Sequence, residues 1–376
     1  MTAASSAMAD LPKVETPSRL PESTRWLHQP ATALSILNRN ILPSLGLHNG
    51  LSVIAYGVAR STNRVEIKDY LWATGMVANA WYSAVGRHVI SSDISFLDSL
   101  SKLSLSQKAL LGAVTAWGGR LTYHVISRSL RRGKDDPRYE GVKNEPGFWN
   151  KASLLFALEA VFQTVISIPF TLPFRTDLLS GFSQAPAEWA APLRWIAAGL
   201  FTTGLALETL ADLQIDSHKK RETAKTQQGE GGELCRTGVW SIVRHPNYLG
   251  DILVHAAFPL WTYGSGLFHV SHLLGSAANY FFLRWIGGDR ENEASQRERY
   301  AKDDKDKLSQ LELYQLQKHS VWPSIFELGN PWTWVVAVIG AGGAAAEYVW
   351  ESRLMDVVTG VNPINPVVGE TLAALE

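Results

Sequence analysis

The chain has 376 residues, of which 46% are hydrophobic, and its 35 Lys and Arg residues balance 35 Asp and Glu residues. This balance excludes a broad nucleic-acid-binding surface, and the single Cys235 excludes an internal disulfide and a cysteine-based zinc cluster. The charges gather in a few blocks between long uncharged stretches, and the 14 Trp residues are typical of membrane interfaces. The composition therefore predicts an all-α, polytopic membrane helical bundle of about seven to ten transmembrane helices.

The distribution of apolar and polar residues divides the chain into four parts. Residues 1–35 are rich in Ala, Ser, Thr and Pro without a sustained apolar core, which predicts a disordered tail rather than a signal peptide. Residues 36–104 are expected to form N-terminal membrane helices. A central membrane domain is predicted at 105–325, and a last membrane helix and tail at 326–376.

Apolar stretches of helical length recur along the chain. The predicted spans cover residues 42–60, 69–86, 108–127, 151–174, 189–211, 249–264, 269–286 and 333–350. Arg120 lies inside one of them, so it needs a partner or a water-filled pocket unless it snorkels to the interface. The charged block from Arg284 to Lys318 is expected to form one or two solvated helices. Gly229 to Gly232 has the composition of a flexible linker.

Positive charge is distributed unevenly between the connecting segments. Lys and Arg cluster in residues 128–150 and 212–244, whereas 175–188 holds one basic residue and the turn at 264–268 holds none. The positive-inside rule then places the two basic segments and the block at 284–320 in the cytosol, with 175–188 in the lumen. An integral membrane protein of the endoplasmic reticulum is expected.

The densest group of reactive side chains runs from Thr237 to Asp251. Pro246 suits the first turn of a helix, which predicts a helix from Asn247 into the membrane. Free amide groups and the positive dipole end at that terminus favour an anion, and Arg244 would reinforce the attraction.

A polar face continues along this predicted helix. Tyr248, Asp251 and His255 are spaced i, i+3 and i+7 and therefore share one side. Polar groups inside an apolar span are costly, so this face is a candidate functional site.

Several motifs resemble one enzyme superfamily. Arg244-His-Pro-Asn-Tyr-Leu-Gly-Asp251, after Gly238-Val-Trp240, resembles the hallmark of the steroid five-alpha reductase and sterol C14 reductase superfamily. The loop from Arg131 to Tyr139 resembles its uncharacterised branch, and Ala211-Asp-Leu-Gln214 followed by a basic residue again resembles the reductases. The resemblance covers approximately residues 105–325. Ile215 departs from it, because the reductases usually carry a Lys there.

The resemblance implies NADPH-dependent reduction of a C=C or enone bond in a steroid-like or other lipid substrate. It nominates Lys219 for the cofactor's phosphates and, by a partial correspondence, Arg290, Glu293 and Tyr300. Either Tyr248 or Asp251 is expected to donate or orient the proton. The remaining candidate cofactor-binding residues are Arg120, Trp240, Arg244, His245 and Asn247.

Two alternatives to the reductase remain open. Isoprenylcysteine carboxyl methyltransferases carry a related Arg-His-Pro-x-Tyr, so an S-adenosylmethionine-dependent lipid methyltransferase is the second hypothesis. A non-catalytic membrane protein of the same fold is the third. Individually, Trp240 could anchor an interface, His255 could bond to a neighbouring helix, and Asn247 and Asp251 could serve packing. No metal is expected, since the ten His residues are dispersed. The sequence predicts no oligomeric state.

Overall fold

The computed structural model describes residues 32–92, 94–140, 142–175, 181–227 and 232–359. Within these ranges the chain is helical, and its β-structure is limited to one isolated bridge between Ser183 and Phe268. The predicted all-α membrane bundle is confirmed. The predicted tail at 1–35 and the linker at Gly229 to Gly232 fall almost wholly outside the described residues, as do residues 360–376 of the C-terminal part.

The N-terminal half consists of helices joined end to end or by short turns. They are α1 (Ala33–Ile36), α2 (Leu42–Thr62), α3 (Ile67–Trp81), α4 (Arg87–Ser92), α5 (Phe96–Ser101), α6 (Leu105–Arg132), α7 (Pro137–Glu140) and α8 (Phe148–Ile166). π-helical turns at Leu37–Ile41 and Tyr82–Gly86 make α1 continuous with α2 and α3 with α4. A capping box of Ser104 and Gln107 starts α6, because each side chain bonds the other residue's backbone N–H.

The C-terminal half holds the longest helix and the central motif. Its helices are α9 (Ala187–Gln227), α10 (Pro246–Gly264), α11 (His272–Phe281), α12 (Asp289–Asp303), α13 (Lys305–Gln317) and α14 (Pro331–Thr359). The start of α10 at Pro246 confirms the predicted helix. The charged block forms α12 and α13, in agreement with the one or two helices expected. A π-helical turn, Phe282–Ile286, extends α11.

Small residues let α9 lie against its neighbours at backbone distance. A Cβ atom on Gly204 would lie 2.5 Å from the carbonyl oxygen of Gly250 in α10, and a Cβ on Gly250 would lie 2.5 Å from that of Gly204. On the α14 side, a Cβ on Gly340 would lie 2.9 Å from the carbonyl oxygen of Gly199. This is close helix packing through glycine, which is common in membranes.

The two ends of the bundle differ in the segments they bring together. The basic segments predicted to share one side meet at the start of α10, where Arg244 N–H bonds the His319 carbonyl at 3.0 Å. At the end of α10, Ala185 N–H bonds the Tyr263 carbonyl at 3.1 Å. The ends are about 28 Å apart, because α10 has 19 residues.

Three helical segments of the described chain are long and apolar enough to cross a membrane: Ala33–Thr62, Ala187–Lys225 and Pro331–Arg353. A fourth is added if Phe148–Ile166 and the bent continuation Ile168–Phe174 form one span. This is fewer than the predicted seven to ten. The helix α10 falls outside the set because it places polar residues, including Asp251 and His255, in its apolar stretch.

Candidate functional site

Two adjoining cavities lie at the basic end of the bundle. The first, the apolar cavity, has a volume of about 310 Å³ and is bounded by α3, α6, α8, α9, α10 and the turn after α11. Its apolar wall consists of Trp72, Leu121, Leu155, Leu158, Phe282 and Ile286. The second, the polar cavity, has about 400 Å³ and is bounded by the ends of α6 and α9, the start of α10, and α12 and α13. Both volumes are within the usual range of small-molecule sites.

Four side chains line both cavities and so form their junction: Arg128, Arg138, Asn247 and Tyr248. The Tyr248 ring stacks on His245, with centroids 5.2 Å apart and planes 8° from parallel. Its hydroxyl accepts a hydrogen bond from Asn292 Nδ2 at 3.4 Å. The Oδ1 of Asn247 is buried without a hydrogen-bond partner. A buried acceptor without a partner is costly, so it marks a place where a ligand donor would be favoured.

The inner wall of the apolar cavity carries a buried acidic cluster. Arg120 pairs with Glu208 and, at 2.6 Å, with Asp212. The indole N–H of Trp117 is shared between Glu208 Oε1 at 3.2 Å and Asp251 Oδ1 at 3.1 Å. The close contact between Gly204 and Gly250 accounts for this shared bond, because it brings Glu208 on α9 next to Asp251 on α10.

The opposite wall of the apolar cavity holds a second set of paired charges. Lys68 on α3 bonds Glu159 on α8 at 2.5 Å, and Asp69 bonds Arg138 at 2.6 Å. Arg138 also bonds Asp136 at 3.1 Å. The charges on this wall therefore neutralise one another, and the middle of the cavity remains apolar.

An ionic clamp holds the start of α10 to α12. Glu293 accepts hydrogen bonds from Arg244 Nε at 2.8 Å and from His245 Nε2 at 2.8 Å. Burial alone would raise the pKa of Glu293, but the bonds from His245 and Arg244 outweigh it and lower the pKa to about 2. Burial lowers the pKa of His245, which favours its neutral form. Arg244 also donates to the carbonyls of Gln315 and Lys318, so most of its N–H groups are used within the protein.

The polar cavity also holds cations that no carboxylate neutralises. Within the described part of the chain, Arg128, Lys219 and Arg299 line this cavity and form no ion pair. The guanidinium of Arg299 lies over the ring of Tyr300, 5.2 Å from its centroid. Together with the paired charges, the lining carries six Lys and Arg side chains but only two carboxylates, Asp136 and Glu293. The polar cavity is therefore suited to an anion.

The structure brings most of the predicted site residues together. The polar cavity is lined by Lys219, Trp240, Arg244, His245, Asn247, Tyr248, Glu293 and Tyr300, and the apolar cavity by Arg120, Asn247, Tyr248 and Asp251. Arg290 is exposed, lies over the Trp285 ring at 5.4 Å and lines neither cavity. Arg120 lies on the inner wall of the apolar cavity, where Glu208 and Asp212 hold its guanidinium, so the structure does not bring it to the polar cavity.

Several residues of the site were missed by sequence reasoning. Glu208 lies outside the motifs that the sequence singles out, and Arg128 belongs to the basic segment 128–150, for which only a topology was predicted. Arg128 follows Arg120 by eight residues and so lies near the same face of α6, which was a usable signal. The pair of Lys68 and Glu159 joins helices far apart in sequence and carried no local signal.

Two of the motifs pack directly against each other. Gln214 accepts a hydrogen bond from Val239 N–H at 2.9 Å, and Trp240 donates to the Ala211 carbonyl at 3.1 Å. Gly238 has a φ of +69°, and a Cβ there would lie 2.2 Å from Gln214 Oε1, so glycine is required. Gln214 of the Ala211-Asp-Leu-Gln214 motif therefore fixes the turn that precedes α10.

The imidazoles of the described residues are not gathered for a metal. No group of three His, Cys, Asp or Glu with a suitable arrangement occurs in that part of the chain. His272 instead bonds Thr262 at 3.0 Å, and His255 bonds the Asp251 carbonyl at 3.0 Å.

Comparisons with known proteins place this geometry in context. The family described as protein of unknown function (DUF1295) matches residues 55–310. An uncharacterized protein of Schizosaccharomyces pombe is 23% identical over 251 residues, which are 62% of this chain and 64% of that protein. The Delta(14)-sterol reductase of Mus musculus is 28% identical over 138 residues, 35% of this chain and 30% of that protein. The chain thus spans less than two thirds of either relative. No solved structure gives a significant match.

Proposed function

This chain belongs to the DUF1295 family, within the steroid five-alpha reductase and sterol C14 reductase superfamily, and from this premise we propose that it is a membrane-embedded, NADPH-dependent reductase of a C=C or enone bond in a lipid substrate. One observation carries the proposal. A cation-rich cavity and an apolar cavity adjoin, and Arg128, Arg138, Asn247 and Tyr248 line both. A reductase needs this arrangement, because the reactive ring of a charged cofactor must lie next to the double bond of a lipid substrate.

The residues of the polar cavity fit a dinucleotide. Arg128, Lys219 and Arg299 are free to bind phosphates, since none of them is held in an ion pair within the described residues. Ile215 also lines this cavity, and the cations from α6 and α12 supply the charge absent at that position. Asn247 can accept a bond from an amide N–H through its unpartnered Oδ1. When bound, NADPH supplies a hydride to the substrate.

The same lining argues against the methyltransferase alternative. S-adenosylmethionine carries a sulfonium cation and no phosphate, so a cavity lined by three cations that form no ion pair among the described residues would repel its reactive group. The Arg244–His245 segment, which both superfamily branches share, is engaged by Glu293 and by backbone carbonyls. The shared motif is therefore explained by a structural clamp and does not favour either cofactor.

The apolar cavity sets the substrate class. Its middle is lined by aromatic and aliphatic side chains, and the charged groups lie on its two walls and towards the junction. A lipid can displace water from such a surface at about 25 cal/mol per Å² of apolar area. Tyr248 and Asp251 face this space, so the bond to be reduced is expected between the junction and the acidic cluster.

The decisive experiment compares cofactors with the detergent-purified full-length chain. NADPH is expected to raise the melting temperature, and S-adenosylmethionine is expected to leave it unchanged, because only a ligand of the native state stabilises it. Stabilisation by S-adenosylmethionine alone would replace the reductase with the methyltransferase. Absence of any shift with either ligand would favour the non-catalytic alternative.

We further place the polar cavity on the cytosolic side of the endoplasmic reticulum, on the basis of the positive-inside rule. A glycosylation acceptor inserted in the turn at 264–268 is expected to be modified, and one inserted between α12 and α13 is expected to remain unmodified. The reverse pattern would overturn this orientation and leave the cavities themselves unaffected.

A further inference from the structure

Charge is unbalanced in the acidic cluster on the inner wall of the apolar cavity. Three carboxylates, those of Glu208, Asp212 and Asp251, surround the single guanidinium of Arg120. Arg120 contacts the first two. Asp251 instead accepts from neutral groups, namely Trp117 at 3.1 Å and the Asn279 amide at 3.4 Å. It is 5% exposed, so water cannot stabilise its negative charge.

One donor joins the carboxyl groups of Glu208 and Asp251. The Trp117 N–H is shared between them, and the glycine contact of α9 with α10 prevents the helices from moving apart. Two buried like charges held this close strongly resist being ionised together. We infer that Glu208 and Asp251 share one proton, and that this proton is delivered to the substrate, with Asp251 as donor and Glu208 as the positioning residue that keeps it protonated.

The surrounding groups are compatible with a protonated Asp251. The Oδ1 of Asn279 is buried without a partner, so rotation of this amide would present an acceptor to the carboxyl O–H. His255 Nδ1 lies 3.3 Å from Asp251 Oδ1 and 3.0 Å from the Asp251 carbonyl oxygen, so a neutral ring donating to that carbonyl satisfies the contact. A neutral acid therefore finds both the acceptor and the donors that it needs.

Among the described residues packed around the carboxyl pair, Arg120 is the cation in contact with it, and Arg120 is already shared between Glu208 and Asp212. His124 faces Asp212 at 3.5 Å rather than the pair. Across the cavity, Lys68 is paired with Glu159 and Asp69, and α12 contributes only the carboxylate of Glu291. Arg128 is free but follows Arg120 by eight residues, about 12 Å along α6. One guanidinium therefore faces three carboxylates, and this excess of negative charge favours a proton on the pair.

The delivery step balances atoms and electrons, and it depends on the proposed reductase function. The substrate double bond takes a hydride with two electrons from the reduced nicotinamide and a proton from the Asp251 O–H, which breaks as the new bond to hydrogen forms. The carboxyl pair is left with one additional negative charge, and it regains a proton from water through the junction.

The test is the infrared spectrum of the full-length protein in lipid at pH 7, without substrate or cofactor. The spectrum of each variant is subtracted from that of the wild-type protein. The wild-type protein is expected to show a protonated-carboxyl band. Asp251→Asn and Glu208→Gln are each expected to lose it, because the remaining carboxyl no longer faces a second negative charge. The control Glu188→Gln, on the exposed start of the same helix, is expected to retain it.

A pH titration keeps the inference testable if a variant fails to fold. In the wild-type protein the band should persist above neutral pH, which can be measured even if neither variant folds. In a variant that does fold, the band should vanish at least about one pH unit lower. A wild-type spectrum without the band, or loss in only one of the two variants, would overturn the shared proton. A normal band together with no NADPH binding would overturn the reductase instead.

Discussion

The two cavities treat charge in opposite ways. On the walls of the apolar cavity, Arg120 and Lys68 are held by carboxylates. By contrast, Lys219 and Arg299 at the polar cavity and Arg128 at the junction have no such partner among the described residues. The difference follows from the solvent. A charge in an apolar environment needs a partner within the protein. A charge at the hydrated end of the bundle is stabilised by water and remains available to a ligand.

Removal of a paired cation should have the largest effect on stability. A small effect would contradict the difference between the two cavities. Arg120→Ala leaves Glu208 and Asp212 without their guanidinium, so we expect the free energy of unfolding to fall by about 3–5 kcal/mol. The measurement is denaturant unfolding in detergent. Arg131→Ala is the matched control on the same helix, because Arg131 is half-exposed beside Asp216 and should contribute at most about 1 kcal/mol. Equal effects of the two changes would contradict the distinction.

The clamp is the paired exception at the polar cavity, and it predicts an acid-sensitive stability. The folded state lowers the pKa of Glu293 from 4.5 to about 2, so the stabilisation is complete above pH 4.5 and is lost as the pH falls towards 2. A shift of this size is worth about 3 kcal/mol. The free energy of unfolding, measured across that pH window, should depend less on pH in Glu293→Gln than in the wild type. Glu298→Gln, which alters a fully exposed carboxylate on the same helix, should leave the curve as in the wild type.

Removal of an unpaired cation should act on the ligand rather than on the fold. Arg128→Ala should weaken NADPH binding by about 1.5–3 kcal/mol, the range for hydrogen bonds to charged groups. Arg128→Lys should recover only part of this, because it lacks the planar fork of the guanidinium. Titration calorimetry measures both, with Arg131→Ala as the neighbouring control. Unchanged affinity in a folded Arg128→Ala protein would remove this residue from the phosphate site.

The smallest expected effect concerns the junction and separates two proton donors. Tyr248→Phe keeps the ring between the cavities and removes a hydroxyl that has one weak bond, to Asn292 at 3.4 Å. If Asp251 donates the proton, saturated turnover should fall less than about tenfold, with affinity unchanged. A fall of about 10²–10⁴ would identify Tyr248 as the general acid and leave the carboxyl pair without that role. Turnover of a model enone under NADPH saturation distinguishes the two outcomes.

Local features of the fold could be read from the sequence, whereas the pairing of charges could not. Pro246 marked the start of α10 because its effect is confined to one turn, and the depth of Arg120 in an apolar stretch predicted that it needs a partner. The identity of that partner depends on how α6 packs against α9, which one sequence does not state. Arg244 illustrates the same limit. Its position at a helix start suggested an anion, but Glu293, 49 residues away, and two backbone carbonyls already occupy most of its donors.

The length of α9 has an energetic consequence for a cofactor with several negative charges. With 41 residues, α9 extends over about 60 Å, twice the thickness of the hydrocarbon core. Glu208 and Lys219 lie eleven residues apart, so the acidic cluster and the proposed phosphate site are separated by about 16 Å along one helix. An elongated dinucleotide can therefore keep its phosphates hydrated while only its uncharged ring enters the low-dielectric interior. The desolvation cost of several kcal/mol for each buried ion is thereby avoided.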